Sequence, residues 1–222
     1  MKKSLPSHEY KGRLKNGKRD GFGHLFISSL SSVNTLQDLI KYKIYLDFKE
    51  FLDSKWDKNG NLISKVKNNY ILKYTGYFKK NLPHGKGVLT FNRGTYKGYF
   101  KNGKFDGYGK LITKSYSYDF GRASYIGYFK NNYPNGKGKF LKERFVYRSE
   151  EGNFINGKLN GNSKITWSNS EYNGMVKDGY QNGKGNLVFN NTGDKWVGYW
   201  KKGEFVKGRI YEAKMKKWKI IK

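Results

Sequence analysis

The chain has 222 residues, of which 45 are Lys or Arg against 17 Asp or Glu, giving a formal net charge of +28, and it contains no cysteine. That length suits one domain, and the missing cysteine excludes disulfides, thiol catalysis and cysteine-ligated zinc or iron–sulfur sites. The charge calls for an acidic counterpart, whether nucleic acid, anionic lipid or an acidic protein surface. Yet arginine supplies only seven of the 45 basic residues, a bias that an AT-rich genome produces without selection for charge. So few arginines also argue against dedicated phosphate or base readout, which favours guanidinium forks.

The first residues, Met1 to Pro6, open like a signal peptide, but no apolar stretch follows before His8 and Glu9. Nowhere does a run of about 18 apolar residues occur, so neither secretion by that route nor a membrane-spanning helix is expected. The region 1–27 holds the first copy of a frame of aromatics and glycines: Tyr10, Gly12, Leu14, Gly17, Gly21 and Gly23, at offsets 0, 2, 4, 7, 11 and 13.

The segment 28–73 has no such frame and reads as an insertion or a diverged unit. A helix over 35–56 would align Leu36, Ile40, Ile44, Phe48, Leu52 and Trp56, with Asn34 as N-cap and Gln37 at the third helical position. Tyr42, Ile44, Leu46 and Phe48 also alternate as a strand would. The length of the run and its caps favour the helix, which would cover the sheet or dock a partner.

From Tyr74 the frame returns as an array over 74–206. Copies start at Tyr74, Tyr96, Tyr125, Glu150, Tyr172 and Trp196, so the spacings are 22, 29, 25, 22 and 24 residues. Periods of that size mean a stacked supersecondary unit. The clearest copies are Tyr96, Gly98, Phe100, Gly103, Gly107, Gly109 and Tyr172, Gly174, Val176, Gly179, Gly183, Gly185. In the copies with Gly76 and Phe78, and with Gly127 and Phe129, Asn81 and Asn132 replace the offset-7 glycine, asparagine being the next-best residue at positive φ. The copy at Glu150 has Ser163 for its last glycine, and the one at Trp196 keeps Gly198, Trp200 and Gly203, with Gly208 one place out of register.

Within each copy, alternation puts the offset-0 aromatic, the offset-2 glycine and the offset-4 aromatic on one face of a strand. Turn dipeptides such as Asn102-Gly103 and Asn156-Gly157 then lead into a second apolar run. Strand, Asn-Gly, strand is a hairpin signal. Glycine recurring inside strands implies that something bulky from a neighbour lies over the backbone, with the aromatics as candidates. Those aromatics read as the core of a thin single sheet rather than a ligand cage.

The pattern of Tyr-x-Gly-x-aromatic, Asn-Gly and Gly-x-Gly-x-Leu resembles the MORN repeat, over residues 10–26 and 74–210. The resemblance implies an all-β fold, an elongated, curved single-layer antiparallel sheet of stacked hairpins, and a role in assembly, tethering or membrane attachment.

A search for chemistry returns little. His8, His24 and His84 have no metal-ligand spacing, and Asp20 and Asp106, sharing offset 10 in different copies, would lie too far apart for acid–base work. Gly85-Lys86-Gly87 and Gly136-Lys137-Gly138 lack the strand–loop–helix setting of a phosphate loop. No catalytic, metal or cofactor site is expected. At offset 3, however, four copies carry Tyr77, Tyr99, Tyr128 and Tyr199, and at offset 5 come Lys15, Lys79, Lys101, Lys130, Lys177 and Lys201. Odd offsets face away from the core, so stacking would set a tyrosine ladder beside a lysine ladder, suited to an acidic protein or lipid headgroups. The same residues would also serve simply to stabilise and solubilise a sheet face.

The segment 207–222 leaves the frame and turns basic. As a helix it would align Tyr211, Met215, Trp218 and Ile221, folding back to cap the last hairpin through Trp218 and Ile221 with its lysines outward. The expectation for the whole chain is a non-catalytic scaffold or adapter in a larger intracellular assembly, cytoskeletal or ciliary, binding an acidic protein. A peripheral tether on anionic phospholipid and a basic ribonucleoprotein subunit are its rivals.

Overall fold

The computed structural model describes residues 7–28, 55–56, 62–63, 71–91, 94–113, 122–143 and 147–222. Two compact units divide the chain, Met1–Leu111 with Phe129–Asn132, and Ile112–Tyr128 with Tyr133–Lys222. The strands are β1 (Ser7–Lys15), β2 (Lys18–Ser28), β3 (Lys55–Trp56), β4 (Leu62–Ile63), β5 (Ile71–Lys79), β6 (Leu82–Phe91), β7 (Gly94–Lys101), β8 (Lys104–Thr113) and β9 (Arg122–Lys130). They continue with β10 (Tyr133–Glu143), β11 (Arg148–Ile155), β12 (Lys158–Trp167), β13 (Ser170–Lys177), β14 (Tyr180–Phe189), β15 (Lys195–Lys201), β16 (Glu204–Glu212) and β17 (Lys217–Ile221). Fifteen of these form one sheet in chain order, β2 lying beside β5, while β3 and β4 pair separately. The described residues are all-β, and the expected hairpin array is what they form. Of the helix expected over 35–56, the last two positions, Lys55 and Trp56, are a strand instead, and the rest lies outside the described residues.

Each hairpin turns on two residues that both have positive φ: Asn16 and Gly17 (50° and 67°), Lys80 and Asn81 (50° and 72°), Asn131 and Asn132 (49° and 78°), Asn156 and Gly157 (48° and 80°). This is the type I′ turn, whose twist matches that of the strands it joins. The repeat glycines therefore divide into two kinds. Those at offset 7 and offset 11 are in the left-handed region, Gly107 at 100° and Gly183 at 105°, and the offset-11 ones sit in a bulge. Gly76 pairs with Gly87 and Phe78 with Pro83, so Tyr77 faces three residues of β6, two more than a regular ladder allows. A surplus of two keeps the alternation of faces intact.

The glycines at offsets 2 and 13 answer to close approach. In the first unit Gly12, Gly23, Gly76, Gly87 and Gly98 are consecutive cross-strand partners. A Cβ on Gly76 would stand 2.6 Å from the Tyr74 hydroxyl oxygen, and one on Gly87 2.6 Å from Tyr74 Cε2. The covering ring thus belongs to the same hairpin, not to the neighbour that sequence reading proposed. Lying across the glycine row, it donates its hydroxyl to the carbonyl of the bulged offset-3 residue: Tyr74 to Tyr77 O at 2.9 Å, Tyr96 to Tyr99 O at 2.9 Å. In the second unit Tyr125 reaches Tyr128 O at 3.2 Å and Tyr172 reaches Met175 O at 2.8 Å. Burial raises the hydroxyl pKa of Tyr74 and Tyr96, and that of Tyr172 to about 12.

These tyrosines are also the core. Tyr10, Leu25, Tyr74, Leu89 and Tyr96 alternate across the first unit, and Tyr74 and Tyr96 are 0% exposed. Tyr74 meets Phe78 of its own hairpin at 4.9 Å and Phe100 of the next at 5.1 Å, both edge-on, so rings lock successive hairpins together. In the second unit Tyr125 packs on Phe154 and Tyr172 on Trp200 in the same way. Where Glu150 replaces the tyrosine, no ring covers the row, Ser163 takes the glycine's place, and the buried carboxylate receives Arg148 Nε at 2.7 Å.

A second seam joins the repeats. The N–H of the turn's second residue donates to the carbonyl nine places into the previous copy: Asn81 to Arg19, Gly103 to Pro83, Asn132 to Phe105, Gly157 to Pro134. At Asn81 and Asn132 the side chain adds the reciprocal bond, its Oδ1 accepting the N–H of Arg19 at 2.7 Å and of Phe105 at 2.6 Å. Where the earlier residue is proline there is no N–H to accept, and the turn residue is glycine. Asparagine at these turns therefore does more than tolerate positive φ.

The C-terminal segment corrects its expectation. It folds back on the last hairpin, but as strand β17 on β16, with Tyr211 opposite Trp218 and Gly208 opposite Ile221. The open edge of β16 offers backbone partners that only an extended chain satisfies. Alternation then separates Trp218 and Ile220 from Lys217, Lys219 and Ile221, so Trp218 and Ile221 lie on opposite faces and do not cap the hairpin together. Gly208 also finds its reason. The last hairpin's bulge carries one surplus residue rather than two, since Tyr199 pairs with Lys207 and Trp200 with Phe205, and Gly208 still meets Gly198.

Candidate functional site

The face opposite the aromatic core carries the residues at odd offsets. Tyr77, Tyr99, Tyr128 and Tyr199 are 42% to 52% exposed, as their odd offset requires. The side chains of Tyr77, Tyr99 and Tyr128 leave their strands beside a bulge glycine, whereas Tyr199 stands opposite Lys207. A Cβ on Gly107 would touch Tyr99 Cβ at 3.0 Å, and one on Gly136 Tyr128 Cβ at 3.1 Å. The bulge that frees a carbonyl for the core tyrosine thus also sets an outward tyrosine against bare backbone.

Equivalent strands are two apart, so successive tyrosines of this row stand about 9.6 Å apart. The strand between contributes its offset-12 residue instead. In the first unit Phe22 meets Tyr77 edge-on at 5.6 Å, and Lys86 Nζ lies 5.5 Å from the Tyr99 ring centroid. In the second, Lys184 and Lys207 flank the Tyr199 ring at 5.8 Å and 5.4 Å. Sequence reading missed these offset-12 residues, although Phe22, Lys86, Tyr108, Lys137 and Lys184 recur there as regularly as the tyrosines do. Their signal was the repeat itself, but it is the register between successive hairpins that sets Phe22 opposite Tyr77, Lys86 opposite Tyr99 and Lys184 opposite Tyr199. Ammonium over an aromatic face is attractive by about 0.5–1 kcal/mol at exposed sites and fixes the lysine head near the ring.

Lys79, Lys101, Lys130 and Lys201 are exposed on the same face at the strand ends, beside the turns rather than beside the tyrosines. Among the described residues, ion pairs engage Lys11, Arg13, Lys139, Arg148 and Lys164, and none of the offset-5 or offset-12 lysines. Trp218 is on this face too, 5.3 Å from the Tyr211 ring and under Arg209 at 5.3 Å. Tyr10, Gly12, Tyr74, Gly76, Tyr96, Gly98, Phe100, Tyr125, Gly127, Phe129, Tyr172, Gly174, Gly185 and Gly198 all belong to the core face and its glycine row. Among the described residues no group of His, Asp or Glu could hold a metal ion, and no helix is long and apolar enough to cross a membrane.

A family model for the MORN repeat matches residues 10–28, 74–95, 96–118, 125–142, 151–171 and 172–193, more than half of the chain. The chain belongs to the MORN repeat family. No curated protein matches it. MORN repeats are a non-catalytic repeat type that mediates protein or lipid interactions. The hairpin β15–β16 lies beyond the matched segments yet repeats the MORN geometry, with a shorter bulge.

Proposed function

We propose that this MORN protein is a non-catalytic scaffold or adapter that holds an acidic protein within a larger assembly of cytoskeletal or ciliary type. One observation carries the reading: half-exposed tyrosines recur on the solvent face with lysines over their rings, and no carboxylate of the described chain pairs with those lysines. Tyrosine gives large contact area at little entropic cost, and unpaired lysines beside it select an acidic surface. The setting rests on the family's role in assembly and tethering.

The test replaces Tyr99 and Tyr128 together with serine and compares what the tagged protein and its variant capture from cells. The partner should be lost while circular dichroism and melting stay nearly unchanged. Binding of the purified protein to anionic liposomes or RNA should be weak and vanish towards physiological salt. Tight, salt-resistant binding to liposomes would instead establish a lipid tether, and to RNA a ribonucleoprotein subunit.

A further inference from the structure

The solvent face of the first unit carries a row of aromatic and basic side chains crossing five successive strands: Phe22 on β2, Tyr77 on β5, Lys86 on β6, Tyr99 on β7 and Tyr108 on β8. Phe22 pairs with Tyr77 and Lys86 with Tyr99. At ~4.8 Å per strand the row is about 19 Å long, and Tyr77 and Tyr99 stand about 9.6 Å apart. The acidic groups near it are already engaged: Asp20 with Arg13 at 3.6 Å, and Asp106 with the Asn131 N–H at 3.4 Å. Among the described residues no carboxylate pairs with Lys86, whose ammonium lies over the Tyr99 ring.

A ligand that uses this row must present like groups every ~9.6 Å. A polyproline-II helix has three residues per turn and rises about 3.1 Å per residue, so residues i, i+3 and i+6 return to one side every ~9.3 Å. A β-strand sends i and i+3 to opposite faces. An α-helix completes two turns in about 10.8 Å and drifts by more than an ångström per repeat. Exposed aromatic rows are also the surfaces on which polyproline-II segments dock, since proline rings lie flat on tyrosine. The lysine between the tyrosines adds a demand for negative charge.

We propose that the row Phe22, Tyr77, Lys86, Tyr99 and Tyr108 is a docking track for an acidic, proline-containing segment of a partner protein in the polyproline-II conformation, one carboxylate per three residues. This rests on the acidic-partner reading above and specifies the partner's conformation. About six residues of the segment would cover the row.

Fluorescence anisotropy on the full chain tests it with labelled peptides of about nine residues. One repeats Pro-Pro-Glu, a second has the same composition with its glutamates blocked at one end, and a third is a helix-forming Glu/Ala peptide of equal charge. Phosphatidylserine vesicles and poly(U) RNA are run alongside. The repeating peptide should bind about tenfold tighter than either of the others, and Tyr77→Ser with Tyr99→Ser should weaken it by about the same factor. Lys86→Ala, which leaves the tyrosines in place, should lower both the affinity and its salt dependence. Equal binding of the blocked peptide would overturn the track and leave only charge attraction to an acidic protein. Tighter binding of the helical peptide would likewise overturn it. Vesicles or RNA binding where no acidic peptide does would overturn both the track and the protein-scaffold reading.

Discussion

Replacing Asn132 with glycine removes the side-chain hydrogen bond that ties its turn to the previous repeat. The native side chain is 4% exposed, and its Oδ1 takes the N–H of Phe105, itself 2% exposed, at 2.6 Å. Glycine accepts the turn's positive φ of 78° more readily than asparagine and keeps the backbone bond to Phe105 O, as Gly103 does to Pro83 O at 2.8 Å. The change takes away the side-chain acceptor of a buried amide, at a cost of about 1–3 kcal/mol, with a further few tenths from the freer unfolded chain. At roughly 2–4 °C per kcal/mol for a chain of this size, melting should fall by about 2–13 °C. Amide hydrogen exchange should show the loss of protection centred on Phe105. Two reciprocal variants sharpen the test. Gly179→Asn brings an acceptor to the turn whose N–H already donates to Leu159 O, and no atom lies within 4 Å of a Cβ there. It should stabilise by about 1 kcal/mol through the Leu159 N–H. Gly103→Asn follows Pro83, which has no N–H, and should gain nothing. If Asn132→Gly melts with the native chain, or Gly103→Asn gains as much as Gly179→Asn, the side-chain clamp is not what holds these turns.

Three further outcomes follow from the core face. Gly87→Ala drives a Cβ to within 2.6 Å of the Tyr74 ring and should cost several kcal/mol, whereas Gly161→Ala meets no atom within 4 Å and pays only for its φ of 76°, about 1–2 kcal/mol, as urea midpoints would show. Tyr96→Phe keeps the ring and loses the hydroxyl bond to Tyr99 O, so it should destabilise by about 1 kcal/mol, far less than Tyr96→Ala. The buried tyrosines also set a limit in alkali: their folded pKa is raised above the ordinary 10.0, so their contribution is complete below pH 10 and is lost as pH rises through the folded values, near 12 for Tyr172. Unfolding monitored by circular dichroism should begin above pH 10 together with late tyrosinate absorbance; a chain already losing stability between pH 8 and 10 would contradict it.

Much of this was legible before any coordinates. The two faces could be assigned by parity alone because the bulge adds two residues and so leaves odd and even offsets on their original sides. For the same reason the turns were plain, Asn102-Gly103 and Asn156-Gly157 naming their own conformation. The partners across the strands were not legible, since Phe22 meets Tyr77 and Lys86 meets Tyr99 through the register between successive hairpins, where Gly23 stands opposite Gly76 and Gly87 opposite Gly98. A fixed offset likewise cannot tell a glycine chosen for its φ from one chosen for an overlying ring, which is why Gly107 and Gly109 looked alike. The tail misled because Tyr211, Met215, Trp218 and Ile221 have helical spacing, while the open edge of β16 decides for an extended chain.

The turn clamp also bears on how such an array can grow. If repeats arise by duplication of a segment, a new copy inherits its own turn residue but acquires a different predecessor. A copy beginning at Tyr125, with its Asn132, inserted after one that carries proline nine places in, as Pro83 does, would bury an amide oxygen facing a ring nitrogen that has no hydrogen to give. A copy with glycine at the turn can follow any predecessor. Copies with glycine are therefore freely transposable and those with asparagine are tied to their place, so the order of repeats in this chain carries a memory of which duplications it could survive.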